Sequence, residues 1–245
     1  MKPLLCLVLG GWLAGLALSA RAADDLPLFK EGELHPAGLG PREPKLNVDF
    51  PGAASSRGIA HGTATVAVLV DADGKPLDFF VTGETDDAFG RALVEKLETL
   101  AYQAATLRGV PVPARCGFTY EFQAGGTTGM NAIDAGESRS NRGKPKLVHT
   151  AVAEGKLDHR LEITAGTVPT LPPGFGHGKP VKVLVSFFID ETGQVRVPNV
   201  ESAPAPELFA PVIAALSTWT FKPPTAGGKP AIVFVSRPIP LAPAR

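Results

Sequence analysis

Apolar and polar positions alternate from Thr65 to Asp71, placing Val66, Val68 and Val70 on one face of a predicted strand. An Asp-x-x-Gly turn, Asp71 to Gly74, reverses the chain, because glycine tolerates positive φ and aspartate bonds back to the backbone. A second strand is predicted from Pro76 to Thr82. The period then lengthens: Phe89, Leu93, Leu97 and Leu100 make one helical stripe, opened by the acidic pair Asp86-Asp87 that suits a helix N-terminus. A glycine-containing turn leads to a last strand, Val112 to Phe122.

The same pattern then returns. Val185, Phe187 and Ile189 alternate, Asp190 to Gly193 turns the chain, and Gln194 to Glu201 forms the second strand. A helix opens at Ala205-Pro206-Glu207, with proline at its first position and a stripe of Leu208, Val212, Leu216 and Trp219. The last strand runs from Ala231 to Leu241. Superposing Asp71 on Asp190 fixes an offset of 190 − 71 = 119. That offset places Leu93 on Val212, Leu97 on Leu216, Tyr102 on Phe221 and Gly109 on Gly228, without insertion or deletion. A repeat of this length signals a duplicated folding unit. The expected fold class is α+β: two tandem units, each a three-stranded antiparallel sheet with a helix on one face, in the order strand, strand, helix, strand. Units this small sit near the lower limit for a self-sufficient core, which favours packing together or dimerisation. Three strands also leave at least one sheet edge unpaired, and backbone chemistry at that edge is the expected function.

Composition divides the chain further. Lys2, the apolar run Leu4 to Leu18 and the small-x-small site Ala20-Arg21-Ala22 form a secretory signal peptide, residues 1–22, with cleavage expected before Ala23. The run falls short of the ~20 residues that cross a bilayer as a helix. Residues 23–43 read as an extended lead, 44–123 as the first unit, 124–143 as a polar, Gly- and Ser-rich flexible linker, and 144–245 as the second unit. Cleavage removes Cys6 and leaves Cys116 alone, so no internal disulfide forms. It also removes Lys2 and Arg21, so 24 basic residues become 22 against 24 acidic ones, a net charge of −2. That balance offers no basic stripe to nucleic acid or anionic lipid.

Ser217-Thr218-Trp219-Thr220-Phe221-Lys222-Pro223-Pro224, then Gly228-Lys229-Pro230 and a β run, follow the hairpin Ile189-Asp190-Glu191-Thr192-Gly193-Gln194-Val195. The second unit thereby resembles the C-terminal domain of the TonB family, which pairs a V-x-V-x-F-x-I-D-x-x-G-x-V hairpin with a helix ending in W-x-F-x-P, then G-K-P-V and a final strand. The first unit is a worn copy: Leu100 stands at the Trp position, Tyr102 at the Phe, and Ala104-Ala105 at the proline pair. Phe50-Pro51, Gly58-Ile59 and Gly62 are similar to the family's lead-in, and Leu171 to Lys179 departs from it. The resemblance implies a periplasmic, non-enzymatic protein-binding module that captures extended segments of envelope or outer-membrane proteins by adding them to a sheet edge. It places partner binding at Ile232, Val233, Phe234 and Val235, with Arg115 to Phe118 as a fainter counterpart. A divergent energy transducer, retaining its N-terminal run as an inner-membrane anchor, is the alternative; residues 23–43 are too short for that family's long spacer.

No other constellation carries chemistry. Gly174 to Lys179 lacks the spacing of a phosphate loop and runs into Pro180. His35, His61, His149, His159 and His177 lack metal-ligand spacing, and Asp71, Asp73, Asp190 and Glu191 read as turn formers rather than a calcium site. Cys116 lies where alternation buries it, with no histidine in the motif to activate it. Trp219, Tyr102 and Phe221 read as packing residues. No cofactor and no metal are expected.

Overall fold

The computed structural model describes residues 33–40, 46–125, 130–132, 147–172, 175 and 181–241. The signal peptide expected at residues 1–22 lies outside the described residues, as does most of the linker. The fold is mixed α and β, built on small antiparallel sheets with few helices. The long strands in chain order are β1 (His61–Val70), β2 (Pro76–Glu84), β3 (Ala114–Gln123), β4 (Val181–Ile189), β5 (Val195–Ser202) and β6 (Val233–Leu241). The helices α1 (Asp87–Glu98) and α2 (Phe209–Leu216) follow β2 and β5, and α2 is entered through a 3₁₀ turn that begins at Pro206.

The offset of 119 relates the two halves at the level of register. β1 pairs antiparallel with β3 so that Val68 faces Cys116, and β4 pairs with β6 so that Phe187 faces Val235. Asp71 Oδ1 accepts from the amides of Asp73 and Lys75 at 2.9 and 2.8 Å; Asp190 Oδ1 accepts from those of Thr192 and Gln194 at 2.9 and 3.0 Å. Asp71 and Asp190 are therefore turn formers. Gly74 and Gly193 take φ of +80° and +90° in these turns.

Phe89, Leu93 and Leu97 are buried on α1, whose N-terminus Asp86 caps by accepting from the Ala88 amide at 3.0 Å. Their face of the sheet carries Phe118 and Phe122: Phe89 stacks 4.7 Å from Phe122, and Tyr102 lies 6.2 Å from Phe118. In the second half Leu208, Val212, Leu216 and Trp219 are buried, with Trp219 edge-on to Phe187 at 6.2 Å. The opposite, helix-free faces meet each other, Phe80 lying 5.7 Å from Phe188, so the buried apolar residues form one contiguous cluster.

Both sheets are wider than three strands because short flanking segments add to their edges. The first runs in the order residues 149–150, β2, β1, β3, residues 130–132; the second in the order residues 152–153, β6, β4, β5. Residues 34–35 and 38–39 of the lead and 130–132 of the linker are thus paired, where composition implied free chain. Leu34–His35 pairs with Thr106–Leu107, Gly38–Leu39 pairs with Tyr102–Gln103, and Met130–Ala132 pairs with Phe118–Tyr120. Two or three residues satisfy an edge without any visible period, which is why polar, Gly-rich composition concealed them.

A Cβ on Gly193 would lie 2.0 Å from the Phe221 carbonyl oxygen, whereas one on Gly228, at φ +72°, meets nothing within 4 Å. Gly228→Ala should therefore lose about 1 kcal/mol and Gly193→Ala at least about 3 kcal/mol in urea denaturation. Equal losses would show that the turn can move away from Phe221.

Candidate functional site

The direction of each backbone group on β6 follows from one bond. The Ile232 carbonyl accepts from the Val152 amide at 2.8 Å, on the side away from β4. N–H and C=O of one residue point the same way in a strand, and successive residues alternate. Positions 232, 234, 236, 238 and 240 therefore face the outer edge, and 233, 235, 237, 239 and 241 face β4. Of the four residues expected to bind a partner, Val233 and Val235 turn their amides to β4 and bury their side chains. Ile232 and Phe234 present the edge, and Phe234 is 37% exposed.

That edge is occupied and short. Val152 and Ala153 pair in parallel with Val233 and Phe234, so the stretch expected to stand open holds the chain's own backbone. Beyond it, Pro238 and Pro240 fall on outward positions and supply no N–H. Ser236 contributes the remaining outward donor of the strand. Prolines at these positions blunt an edge that would otherwise invite aggregation.

The fainter counterpart at Arg115 to Phe118 is a covered rim, met by Asn199 at Arg115 and by Ala132 at Phe118. The Arg115 amide donates to Asn199 Oδ1 at 3.1 Å, and its side chain runs between the two sheets. There Nη1 donates to the Val197 carbonyl at 3.2 Å and Nη2 to Ser186 Oγ at 2.7 Å, with Glu201 at 3.5 Å. The guanidinium also stands over the rings of Phe188 and Phe234, at 5.3 and 5.6 Å. Burial pushes Arg115 down to about 10 against the pull of Glu201, so it stays charged at neutral pH. Alternation alone could not reveal this role, because an arginine in a strand pattern reads as solvated. Cys116 beside it is buried, and burial pushes its thiol up to about 12, which leaves it inert.

Val197 holds φ +40° inside a bulge of β5, a left-handed conformation that a β-branched residue adopts only under constraint. Its carbonyl is held by Arg115 and its amide donates to Asp78 Oδ2 at 3.1 Å. Asp78 also takes Arg196 through Nε at 3.0 Å and Nη2 at 2.5 Å, and Arg196 lies 4.9 Å over the Phe80 ring. These contacts tie up both main-chain groups of Val197 on the outer side of β5. Two of them join positions related by the offset of 119: Asp78 to Val197, and Arg115 to Phe234. An isologous interface, in which one patch meets its own copy, has this signature.

Beside the occupied edge, a cleft of about 400 Å³ lies between the sheets, lined by Phe79, Phe80, Glu84, His149, Glu191 and Arg196 among others. His149 Nε2 lies 2.8 Å from Glu191 and its Nδ1 4.0 Å from Glu84. Burial raises Glu84 above the ordinary glutamate value of 4.5; His149 opposes the shift, Asp87 and Asp86 add to it, and the Gly90 amide opposes it. A Cβ on Gly90 would come within 2.1 Å of that carboxylate, so glycine makes the room for it.

Among the described residues no cluster of three potential ligands could hold a metal, and no helix is long and apolar enough to cross a membrane. Comparison of the chain with family models, curated proteins and solved structures returned no match.

Arg115→Met leaves the Val197 carbonyl without its donor and Glu201 without its cation, while Ser186 keeps its bond to Glu201, and should cost roughly 2–4 kcal/mol in chemical denaturation. Arg115→Lys should recover only part of it, since an ammonium cannot span both acceptors; full recovery would show that charge alone matters. Glu84 titrates higher folded than unfolded, so its stabilising contribution is complete below pH 4.5 and vanishes as pH rises through the raised value. Glu84→Gln should flatten that decline on the alkaline side of pH 4.5. Identical slopes for the two proteins would contradict the assignment.

Proposed function

We propose that this chain is an exported, periplasmic, non-enzymatic protein-binding module, which captures extended segments of envelope or outer-membrane proteins by adding them to the outer edge of β6. It consists, in this reading, of two tandem units similar to the TonB C-terminal domain, each strand, strand, helix, strand. The shared offset of register, turn bonds and glycine conformations between the halves supports the tandem organisation. The capture mode rests on one observation: the outer edge of β6 takes up an extended segment, residues 152–153, through main-chain pairing. An edge that accepts backbone from its own chain has the geometry to accept it from another.

The first unit serves as a support. Its equivalent strand, β3, is covered by residues 130–132 and by Asn199, and its Arg115 braces the second sheet from behind. Binding at one edge rather than two follows from that arrangement.

Proline scanning with the full mature chain tests the mode. Phe234→Pro removes an outward donor and leaves the ladder to β4 intact, so capture of a partner from an envelope extract should fall at least about tenfold, while Phe234→Ala keeps the donor and most of the capture. Unchanged capture by Phe234→Pro and by Ser236→Pro would refute edge addition.

A further inference from the structure

Residues 147–153 form a strap that crosses from one sheet to the other. On β2, His149 and Thr150 pair antiparallel with Glu84 and Gly83, while the Val148 amide donates to the Glu84 carbonyl at 2.8 Å. The Ala151 amide reaches the Thr82 carbonyl at 3.3 Å. Two residues on, Val152 and Ala153 pair in parallel with β6. Each attachment is only two residues long, and the second uses the weaker parallel geometry. Val148 is 79% exposed, and Thr150 and Ala153 are exposed as well.

The edge offers a competing segment few donors beyond those the strap covers. Outward donors on β6 are the amides of Phe234 and Ser236, since Pro238 and Pro240 have none, and Phe234 is already opposite Ala153. A strand that uses both outward donors must therefore reach Phe234, where the strap lies. The strap's side chains also describe what the site accepts. His149 enters a cleft bounded by Glu84 from β2 and by Asp190 and Glu191 from the turn between β4 and β5. The one guanidinium among the residues lining that cleft, Arg196, is committed to Asp78. Three positions later Val152 meets the edge, followed by the small Ala153.

We propose that residues 147–153 are a built-in occupant of the capture edge, displaced by partner segments of the same chemistry: an extended stretch parallel to β6, with an imidazole or cationic side chain for the acidic cleft and, three and four positions on, an apolar and then a small residue. This rests on the edge-addition reading and adds to it a competitor and a specificity. The closed strap lowers the apparent affinity of any partner by the fraction of molecules in which it is released.

A labelled peptide of the strap's own sequence, Leu-Val-His-Thr-Ala-Val-Ala, tests this on the full mature chain. Val152→Pro removes the amide that bonds Ile232, so this variant should bind the peptide at least about tenfold more tightly than the unaltered chain. The same peptide carrying glutamate at the histidine should lose about tenfold of that affinity. Equal binding by the two proteins, or no binding by a variant whose circular dichroism is unchanged, overturns the proposal. Amide exchange on the unaltered chain gives a second reading, independent of that variant's folding: the Val152 amide should exchange at least about 100-fold faster than that of Val185 in the central strand. Equal protection of the two amides overturns it too. Envelope capture that depends on Phe234 while Val152→Pro changes nothing would leave edge addition standing and remove the strap. A peptide that behaves as expected while capture ignores Phe234 would do the reverse.

Discussion

The guanidinium of Arg115 is the contact on which the arrangement of this molecule depends. It is a buried cation whose nearest carboxylate, on Glu201, stands 3.5 Å away and partly in solvent, so a main-chain carbonyl and a hydroxyl supply most of its coordination. Taking such a charge from water is costly, and the geometry offsets the loss only because several acceptors and two aromatic faces converge on it. The convergence requires Val197 to sit at φ +40° so that its carbonyl points toward the first sheet. Arg115 and Asp78 clamp the two ends of that one residue, and a strained bulge becomes the joint between the sheets.

Consequences for function follow from which edges the joint consumes. On the outer side of β5 Val197 is held by Asp78 and Arg115, and β3 is met by Asn199 at Arg115 and by residues 130–132 at Phe118 to Tyr120. Residues 149–150 pair with Gly83 and Glu84 at one end of β2. On β6 two prolines leave a window around Phe234 and Ser236. In the proposed reading the binding surface is one-sided, because the contact between the sheets engages Arg115 of β3 and leaves the outer edge of β6 to a partner. Phe234 stands at the position equivalent to Arg115, and it lies on the exposed side of the guanidinium that its counterpart buries.

Much of this was legible in the residues themselves. Alternation at Val66 to Val70 and Val185 to Ile189 and the Asp-x-x-Gly turns describe interactions within a few residues and fold as their spacing predicts; of the helical stripes, Leu100 and Trp219 fall past the helix ends and Leu208 in the 3₁₀ turn before α2. The offset of 119 carried the register as well. Long-range pairings were not legible. Residues 34–35, 130–132 and 152–153 join sheets through main-chain bonds that leave no trace in side-chain period, so lead and linker read as free chain. Arg115 looked like part of a rim because its buried partners come from the other half of the sequence. The inward direction of the Val233 and Val235 amides needed an observed hydrogen bond, and it shifts the expected contacts from four residues to the two that face outward.

The most direct measurement is residue-resolved amide hydrogen exchange on the full mature chain, free and with a captured segment bound. The Ser236 amide, which faces the outer edge and has no partner among the described residues, should become protected on capture, while that of Val233, already bonded to β4, should not change. Capture that leaves the Ser236 amide exchanging as freely as before would contradict a partner bound through the edge of β6.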